Sequence, residues 1–347
     1  MSLLTYSGIA TKVKAMSSRL ISDQEFRQMA ELEDVRSAAD FLKQHAAYAD
    51  FFADLDDTKL HRGYIEQLLT QSEYRDFSKL YRFANLSQRK FLDLYFIHYE
   101  ITMIKQTLLH VIGHQEAAPD LSMFQDFFDK HSALDLTALA QAESLEDFIS
   151  RLAGTRYYEP FSKLQAAGQT SVFDYEMQLD LFYFKTMWKI KTKILTKAEQ
   201  KILDECFGCR LDLINLQWIF RARKYYNMSS ADIFGLLIPI NYKLRTGQIQ
   251  SLVEAATSED FYAVLKTTAY GSVPESELNG QPDLEALYHQ LLNQIYYKTS
   301  RKHPYSIAVL DSYLFFKETE MHKIITTIEG IRYGLGAGEI YALAAKQ

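Results

Sequence analysis

Three carboxylates, Glu100, Asp212 and Glu320, each lie in a mostly apolar stretch with helical spacing. A buried carboxylate without a partner costs several kcal/mol, so we expect each acid to accept hydrogen bonds from a neighbouring helix start. Three acids meeting at one centre could instead do acid–base chemistry, but no nucleophile, metal-ligand set or general-base histidine accompanies them. We therefore predict three structural acids and no catalytic residue.

The other residues with chemical potential do not form a recognisable site. Cys206 and Cys209 are a lone C-x-x-C pair without the second pair that a zinc site needs, and we expect them to pack as buried thiols. His110 and His114 share one helix face, but no HExxH pattern occurs. The glycine cluster of residues 334–338 follows a helix rather than a strand, and the chain lacks a GxxxxGKS/T phosphate loop. We predict no metal, no cofactor and no nucleotide site.

Basic residues are concentrated in two places. Arg221, Arg223 and Lys224 end an apolar segment that is expected to be a buried helix. These three residues are either a solvated helix end or part of a partner-binding surface. Residues 175–201 are expected to form one long helix with lysines at intervals, which is either a solvated face or a docking face for an acidic partner.

Two short signatures each occur three times, at intervals of roughly 110 residues. The first is a helix start in which Ser or Thr precedes an acid by three residues, followed further on by a tyrosine. Its starts are Ser37, Ser144 and Thr257, and its tyrosines are Tyr48, Tyr157 and Tyr270. The second places an aromatic residue five before an acid, and its acids are Glu100, Asp212 and Glu320. We interpret the chain as three helical repeats: residues 1–115, 116–239 and 240–347.

The composition favours helices and excludes several classes of protein. The 347 residues include only 14 Gly and 6 Pro but 23 Tyr and 22 Phe, which is typical of helices around large apolar cores. The net charge of -6 gives no indication of nucleic-acid binding. The cysteine content fits a reducing compartment, and neither a secretory signal nor an apolar run of ~18 residues occurs. We therefore expect any membrane association to run through a partner or a surface, without transmembrane insertion.

The segment of residues 212–239 resembles a signature of the C-type subunit of V/A-type rotary ATPases, known as the d subunit in eukaryotic V-ATPases. In that family a helix of the form D-x-x-N-L-x-x-x-x-R-x-R/K precedes a Ser-containing break and an apolar segment ending in Pro. The matching positions here are Asp212, Asn215, Leu216, Arg221, Arg223 and Pro239. The threefold repeat extends the resemblance over nearly the whole chain, with an overall likeness to short prokaryotic members. Met103 stands in repeat 1 where repeat 2 has Asn215, so a role of that amide cannot be threefold.

The resemblance implies an all-α fold of three similar helical domains in a pseudo-threefold, funnel-like arrangement around a central cavity. It also implies a non-catalytic subunit without cofactors, placed between the central-stalk rotor subunits (D and F type) and the membrane rotor ring (c or K type). Such a subunit would transmit torque for H+ or Na+ transport as a peripheral protein at the cytoplasmic face of the membrane. Two alternatives stay open: a helical scaffold or adaptor unrelated to rotary motors and, more remotely, a helical enzyme that uses the repeat acids.

Overall fold

The structure is a computed structural model that describes residues 3–55, 60–113, 121–274 and 283–346. Within these ranges the regular secondary structure consists of α-helices only, so the expected all-α class is confirmed. No helix in the described ranges is both long enough and apolar enough to cross a membrane.

The chain divides into two compact units. One consists of residues 85–196, and the other combines residues 1–84 with residues 197–347. Both divisions fall directly before a long helix, whereas the repeat boundary expected after residue 115 lies outside the described residues. The division into repeats 1–115, 116–239 and 240–347 therefore stays a prediction about the sequence.

The unit of residues 85–196 combines two long helices with four short ones. They are α5 (Leu86–Gly113), α6 (Ser122–Phe128), α7 (Leu136–Ala140), α8 (Leu145–Arg151), α9 (Tyr158–Ala166) and α10 (Val172–Ile194). Helices α5 and α10 pack along each other. Large aromatic side chains fill the core of this unit, and Phe91, Phe128, Phe148, Phe161 and Tyr175 are all fully buried.

The larger unit contains the remaining helices. From the N-terminal segment come α1 (Leu3–Ser17), α2 (Asp23–Ala30), α3 (Val35–Gln44) and α4 (Arg62–Phe83). The C-terminal segment supplies α11 (Lys197–Lys224), α12 (Ser230–Leu236), α13 (Thr246–Glu254), α14 (Ser258–Leu265), α15 (Leu284–Lys302), α16 (Ala308–Arg332) and α17 (Ala337–Ala344). One apolar cluster joins α11 to α15. A second cluster joins α2, α3 and α4 to α16 and α17, so both ends of the chain share one core.

Two of the three expected helix starts are confirmed. The side chains of Ser144 and Thr257 accept hydrogen bonds from the backbone three residues on, at the starts of α8 and α14. Ser22 and Ser229 cap α2 and α12 in the same way. The start expected at Ser37 is wrong, because α3 begins at Val35, two residues before Ser37. Its cap is the Asp34 side chain, which accepts a hydrogen bond from the backbone N–H of Ser37.

The single helix expected over residues 175–201 is also wrong. Helix α10 ends at Ile194, and α11 begins at Lys197. Leu195 between them takes an extended conformation (φ -105°, ψ 147°) and buries its side chain. Tertiary contacts can override local helix preference, which is why a continuous helical pattern does not ensure one helix.

Candidate functional site

Asp212 lies at the middle of α11 and is completely buried. Its carboxylate accepts hydrogen bonds from the backbone N–H groups of Tyr242, Lys243 and Leu244, at 3.0, 2.6 and 3.1 Å. It also accepts one from the phenol of Tyr270, at 2.8 Å. The carboxylate thereby satisfies three backbone donors of the segment before α13, of which the N–H of Leu244 is buried.

Gly208 allows the segment of residues 242–244 to approach α11 closely. A Cβ at this position would lie 2.6 Å from Cγ of Tyr242, well inside van der Waals contact. The absence of a side chain therefore allows the ring of Tyr242 to pack on the helix one turn before Asp212. This packing holds the backbone donors within reach of the carboxylate.

Glu320 occupies the corresponding place in α16 and is also buried. The phenol of Tyr48 and the backbone N–H of Ile21 each donate to it at 2.5 Å. The ammonium of Lys317, one helical turn earlier, lies 2.8 Å from the same carboxylate and 2.6 Å from the phenol oxygen of Tyr48. This acid is thus paired with a buried cation, which the other two acids lack at the same spacing.

Glu100 in α5 is the third of the buried repeat acids. It accepts hydrogen bonds from the hydroxyl of Ser132 at 2.5 Å and from the phenol of Tyr157 at 2.6 Å. The guanidinium of Arg156 lies at the limit of an ion pair, 4.0 Å away, and is half exposed. The hydrogen bonds are therefore the main compensation for burying this carboxylate.

The three acids share one pattern of partners. Each accepts a phenol hydrogen bond from the tyrosine that follows a short helix, and each accepts another from the chain segment ahead of α7, α13 or α2. In terms of the predicted repeats, each acid contacts the tyrosine of the next one, and the acid of the third contacts the tyrosine of the first. The contacts are Glu100–Tyr157, Asp212–Tyr270 and Glu320–Tyr48. The sequence indicated all six residues but not how they pair.

Burial raises the pKa of all three phenols, and the neighbouring carboxylates raise it further. The phenols therefore stay protonated and act as hydrogen-bond donors at any physiological pH. The donors differ from those expected, because the hydroxyls of Ser144 and Thr257 cap their own helices. Every acid is buried, and both of its carboxylate oxygens already accept hydrogen bonds from within the protein. A structural role stays our prediction for them.

The basic residues at the end of α11 have separate contacts. Arg221 forms an ion pair with Glu285 of α15, with both side chains about half exposed. Arg223 donates to the backbone carbonyl of Val253 at 2.7 Å and to Ser230 at 3.3 Å. Both arginines thus connect α11 to neighbouring helices.

Lys224 makes no ion pair with a described carboxylate. Its ammonium lies 5.1 Å from the ring centroid of Phe220 and 5.3 Å from that of Tyr225. Tyr225 and Tyr226 beside it are largely exposed. Lys224 also lines a cavity of about 180 Å³ at the start of α14, together with Arg223 and Phe261. Of the three basic residues, Lys224 has the charge most available to a partner.

The candidates for metal or redox chemistry are the two cysteines and the histidines of residues 110–114. Cys206 and Cys209 are free, buried thiols whose pKa is raised by burial, which makes them poor nucleophiles. Among the described residues, no group of three His, Cys, Asp or Glu side chains is arranged to hold a metal ion. His114 lies outside the described residues.

Comparison with known proteins gives the class of this chain. Residues 9–343 match the family described as ATP synthase (C/AC39) subunit. The chain therefore belongs to this family of rotary ATPase subunits, and the resemblance seen in residues 212–239 is confirmed.

Several archaeal proteins, each named as the C subunit of an A-type ATP synthase, are similar along their length. The protein of Desulfurococcus sp. (strain SY) is 24% identical over 347 residues, covering 98% of this chain and 91% of that protein. The protein of Thermococcus kodakarensis is 23% identical, covering 95% of this chain and 87% of that protein. The protein of Pyrococcus horikoshii is 25% identical, covering 92% and 84%.

Proposed function

We propose that this chain is a non-catalytic central-stalk subunit of a rotary V/A-type ATPase, which couples the rotor shaft to the membrane rotor ring. The observation that carries the proposal is the family match over residues 9–343. The archaeal relatives, named as C subunits of A-type ATP synthases, support it because they match nearly the full chain. In this role the chain is a socket that transmits torque for H+ or Na+ transport and has no nucleotide site of its own.

The internal packing supports a role as a stiff spacer. A part that transmits torque must resist deformation, and densely packed interiors have low compressibility. Phe and Tyr fill the core of residues 85–196, and every repeat acid ties a long helix to a segment of another repeat. The cyclic order of these contacts favours three similar helical domains in a pseudo-threefold, funnel-like arrangement, which is part of this proposal.

The partners that follow from the proposal are the D- and F-type stalk subunits and the c- or K-type ring. The chain would act as a peripheral protein at the cytoplasmic face of the membrane. Arg221, Arg223 and Lys224 are proposed to contact a partner, with Lys224 as the main contributor since both arginines have internal contacts.

The test is a pull-down of the purified chain with the stalk subunits and, separately, with the detergent-solubilised ring. Binding to both, together with loss of ATP-driven ion transport when the chain is omitted from the reassembled complex, is the expected result. Binding to neither, under conditions that preserve the other contacts of the complex, refutes the coupling role and favours a helical scaffold or adaptor.

The basic surface is tested in the same assay. Reversing the charge of Lys224 with Lys224→Glu should weaken capture of a partner while leaving the helical content unchanged. The triple reversal of Arg221, Arg223 and Lys224 should weaken it further, in part because the contacts of the arginines with α13 and α15 are lost. Lys14→Glu, on the exposed face of α1, is the matched control. Capture that is equal in Lys224→Glu, the triple variant and the control contradicts this assignment.

A further inference from the structure

A small cavity in the larger unit is lined by an excess of cationic side chains. It has a volume of about 100 Å³ and lies among α1, α4, α16 and the turn that follows α3. Five of its lining residues are cationic, and Asp76 is the only acid in the described lining. The cations are Lys12, Arg19, Arg75, Lys79 and Lys317.

Two of these cations have no carboxylate partner among the residues that the structure describes. Lys79 pairs with Asp76 at 2.9 Å, and Lys317 pairs with the buried Glu320. Lys12 and Arg19 form no ion pair with any carboxylate of the described residues. The ammonium of Lys12 lies only against an aromatic ring, 5.0 Å from its centroid. The cavity therefore has positive charge that the described carboxylates do not neutralise.

Arg75 contributes further unused donor capacity. One nitrogen of its guanidinium pairs with Asp50 at 2.5 Å, but Asp50 is 81% exposed, so solvent weakens this pair. A second nitrogen donates to the carbonyl of Ala47 at 2.9 Å. Its Nε is buried and has no hydrogen-bond partner. Buried N–H groups without a partner are uncommon in folded proteins, and such a donor at a cationic cavity suits an oxygen-rich anion.

We propose that this cavity binds a phosphate-type oxyanion. Its volume of about 100 Å³ suits a small group such as a single tetrahedral oxyanion better than a large molecule. Arginine offers several N–H donors in a plane and lysine a compact charge, and together they favour a group with several charged oxygens. The phosphate is either free in solution or the headgroup of an anionic lipid. This inference is independent of the proposed rotary role, since it depends only on the cavity.

The test uses the full chain and two probes. Inorganic phosphate is titrated into the protein by calorimetry, against chloride at the same ionic strength. Sedimentation with phosphatidylcholine vesicles, with and without phosphatidylglycerol, tests the lipid source. The test variant Lys12→Gln/Arg19→Gln is compared with Lys14→Gln/Arg82→Gln, which removes the same charge from exposed positions of the same two-helix region, α1 and α4. Circular dichroism checks that both variants keep the helical content.

Binding of either probe is expected, with an affinity that is at least about tenfold weaker in Lys12→Gln/Arg19→Gln and nearly unchanged in the control. Binding of phosphate identifies a free-anion site, and binding of the anionic vesicles alone identifies a headgroup site. The proposal is overturned if neither probe binds, if the test variant binds as tightly as the wild type, or if the control variant loses affinity to the same extent.

Discussion

Removing the hydroxyl of Tyr270 tests whether the phenol–carboxylate contacts stabilise the fold. Tyr270→Phe keeps the ring and its volume, so no cavity opens, but deletes the donor 2.8 Å from Asp212. A hydrogen bond to a charged group contributes about 1.5–3 kcal/mol. Since three backbone donors still hold Asp212, we expect the free energy of unfolding to fall by about 2 kcal/mol.

Asp212→Ala should be more damaging than Tyr270→Phe. It leaves three backbone N–H groups and the phenol without an acceptor, in addition to a small cavity. The N–H of Leu244 and the phenol are buried donors, and each costs about 1–3 kcal/mol without an acceptor. The N–H groups of Tyr242 and Lys243 are only partly buried and add less, so the expected loss is about 4 kcal/mol. A larger loss of unfolding free energy in Asp212→Ala than in Tyr270→Phe would show that removing the shared acceptor costs more than removing one donor.

The assay is urea unfolding followed by circular dichroism, combined with hydrogen exchange read by mass spectrometry on peptides. The exchange measurement is needed because two compact units need not unfold in one step. Exchange should accelerate in α11 and in residues 242–270 but not in residues 85–196. The control is Tyr225→Phe, because Tyr225 is 65% exposed and its change should stay within about 0.5 kcal/mol. An equal effect of Tyr270→Phe and Tyr225→Phe would refute the reasoning.

Three further predictions concern other parts of the structure. Gly208→Ala should lower the free energy of unfolding by about 1–3 kcal/mol in the urea assay, because its Cβ would meet the ring of Tyr242, whereas Gly8→Ala, in open space, should not. Asp311 is buried with one oxygen unbonded, and burial raises its pKa from 3.8 to about 7. Between about pH 4 and 7 the native state keeps a proton that the unfolded chain loses, so the free energy of unfolding should fall as the pH rises. Asp311→Asn should remove this pH dependence and raise the free energy of unfolding at pH 8 by at most about 4 kcal/mol. Urea unfolding at each pH measures both effects. Residues 85–196, expressed alone, should give a helical spectrum and a cooperative thermal transition, because their core and their acid–tyrosine contact are internal; a non-cooperative melt would contradict this.

The repeated spacing along the chain singles out the three acids and the three tyrosines, but the donors predicted for the acids are helix starts rather than phenols. It does not predict the pairing, because nothing in a local pattern says that the acid of one repeat meets the tyrosine of the next. Lys317 could have been singled out, since it precedes Glu320 by one helical turn and can reach it.

The lysines of residues 175–201 show a second limit of sequence patterns. Lys191 is 3% exposed, although the pattern indicates a solvated or docking face. Its ammonium lies 3.0 Å from the ring centroid of Trp188, and burial lowers its pKa to about 8. Periodicity cannot show which lysine of a mixed face turns inward, because that depends on the neighbouring helices.

The third acid–tyrosine contact differs from the other two in the sequence separation of its residues. Glu100 and Asp212 bond tyrosines 57 and 58 residues away, whereas Glu320 and Tyr48 are separated by 272 residues. Loop-closure entropy grows only logarithmically, so the longer separation costs about 1.4 kcal/mol more. One charge-assisted hydrogen bond offsets that cost. Glu320 has an additional buried partner in Lys317, at the acid–tyrosine contact whose residues lie farthest apart in the sequence.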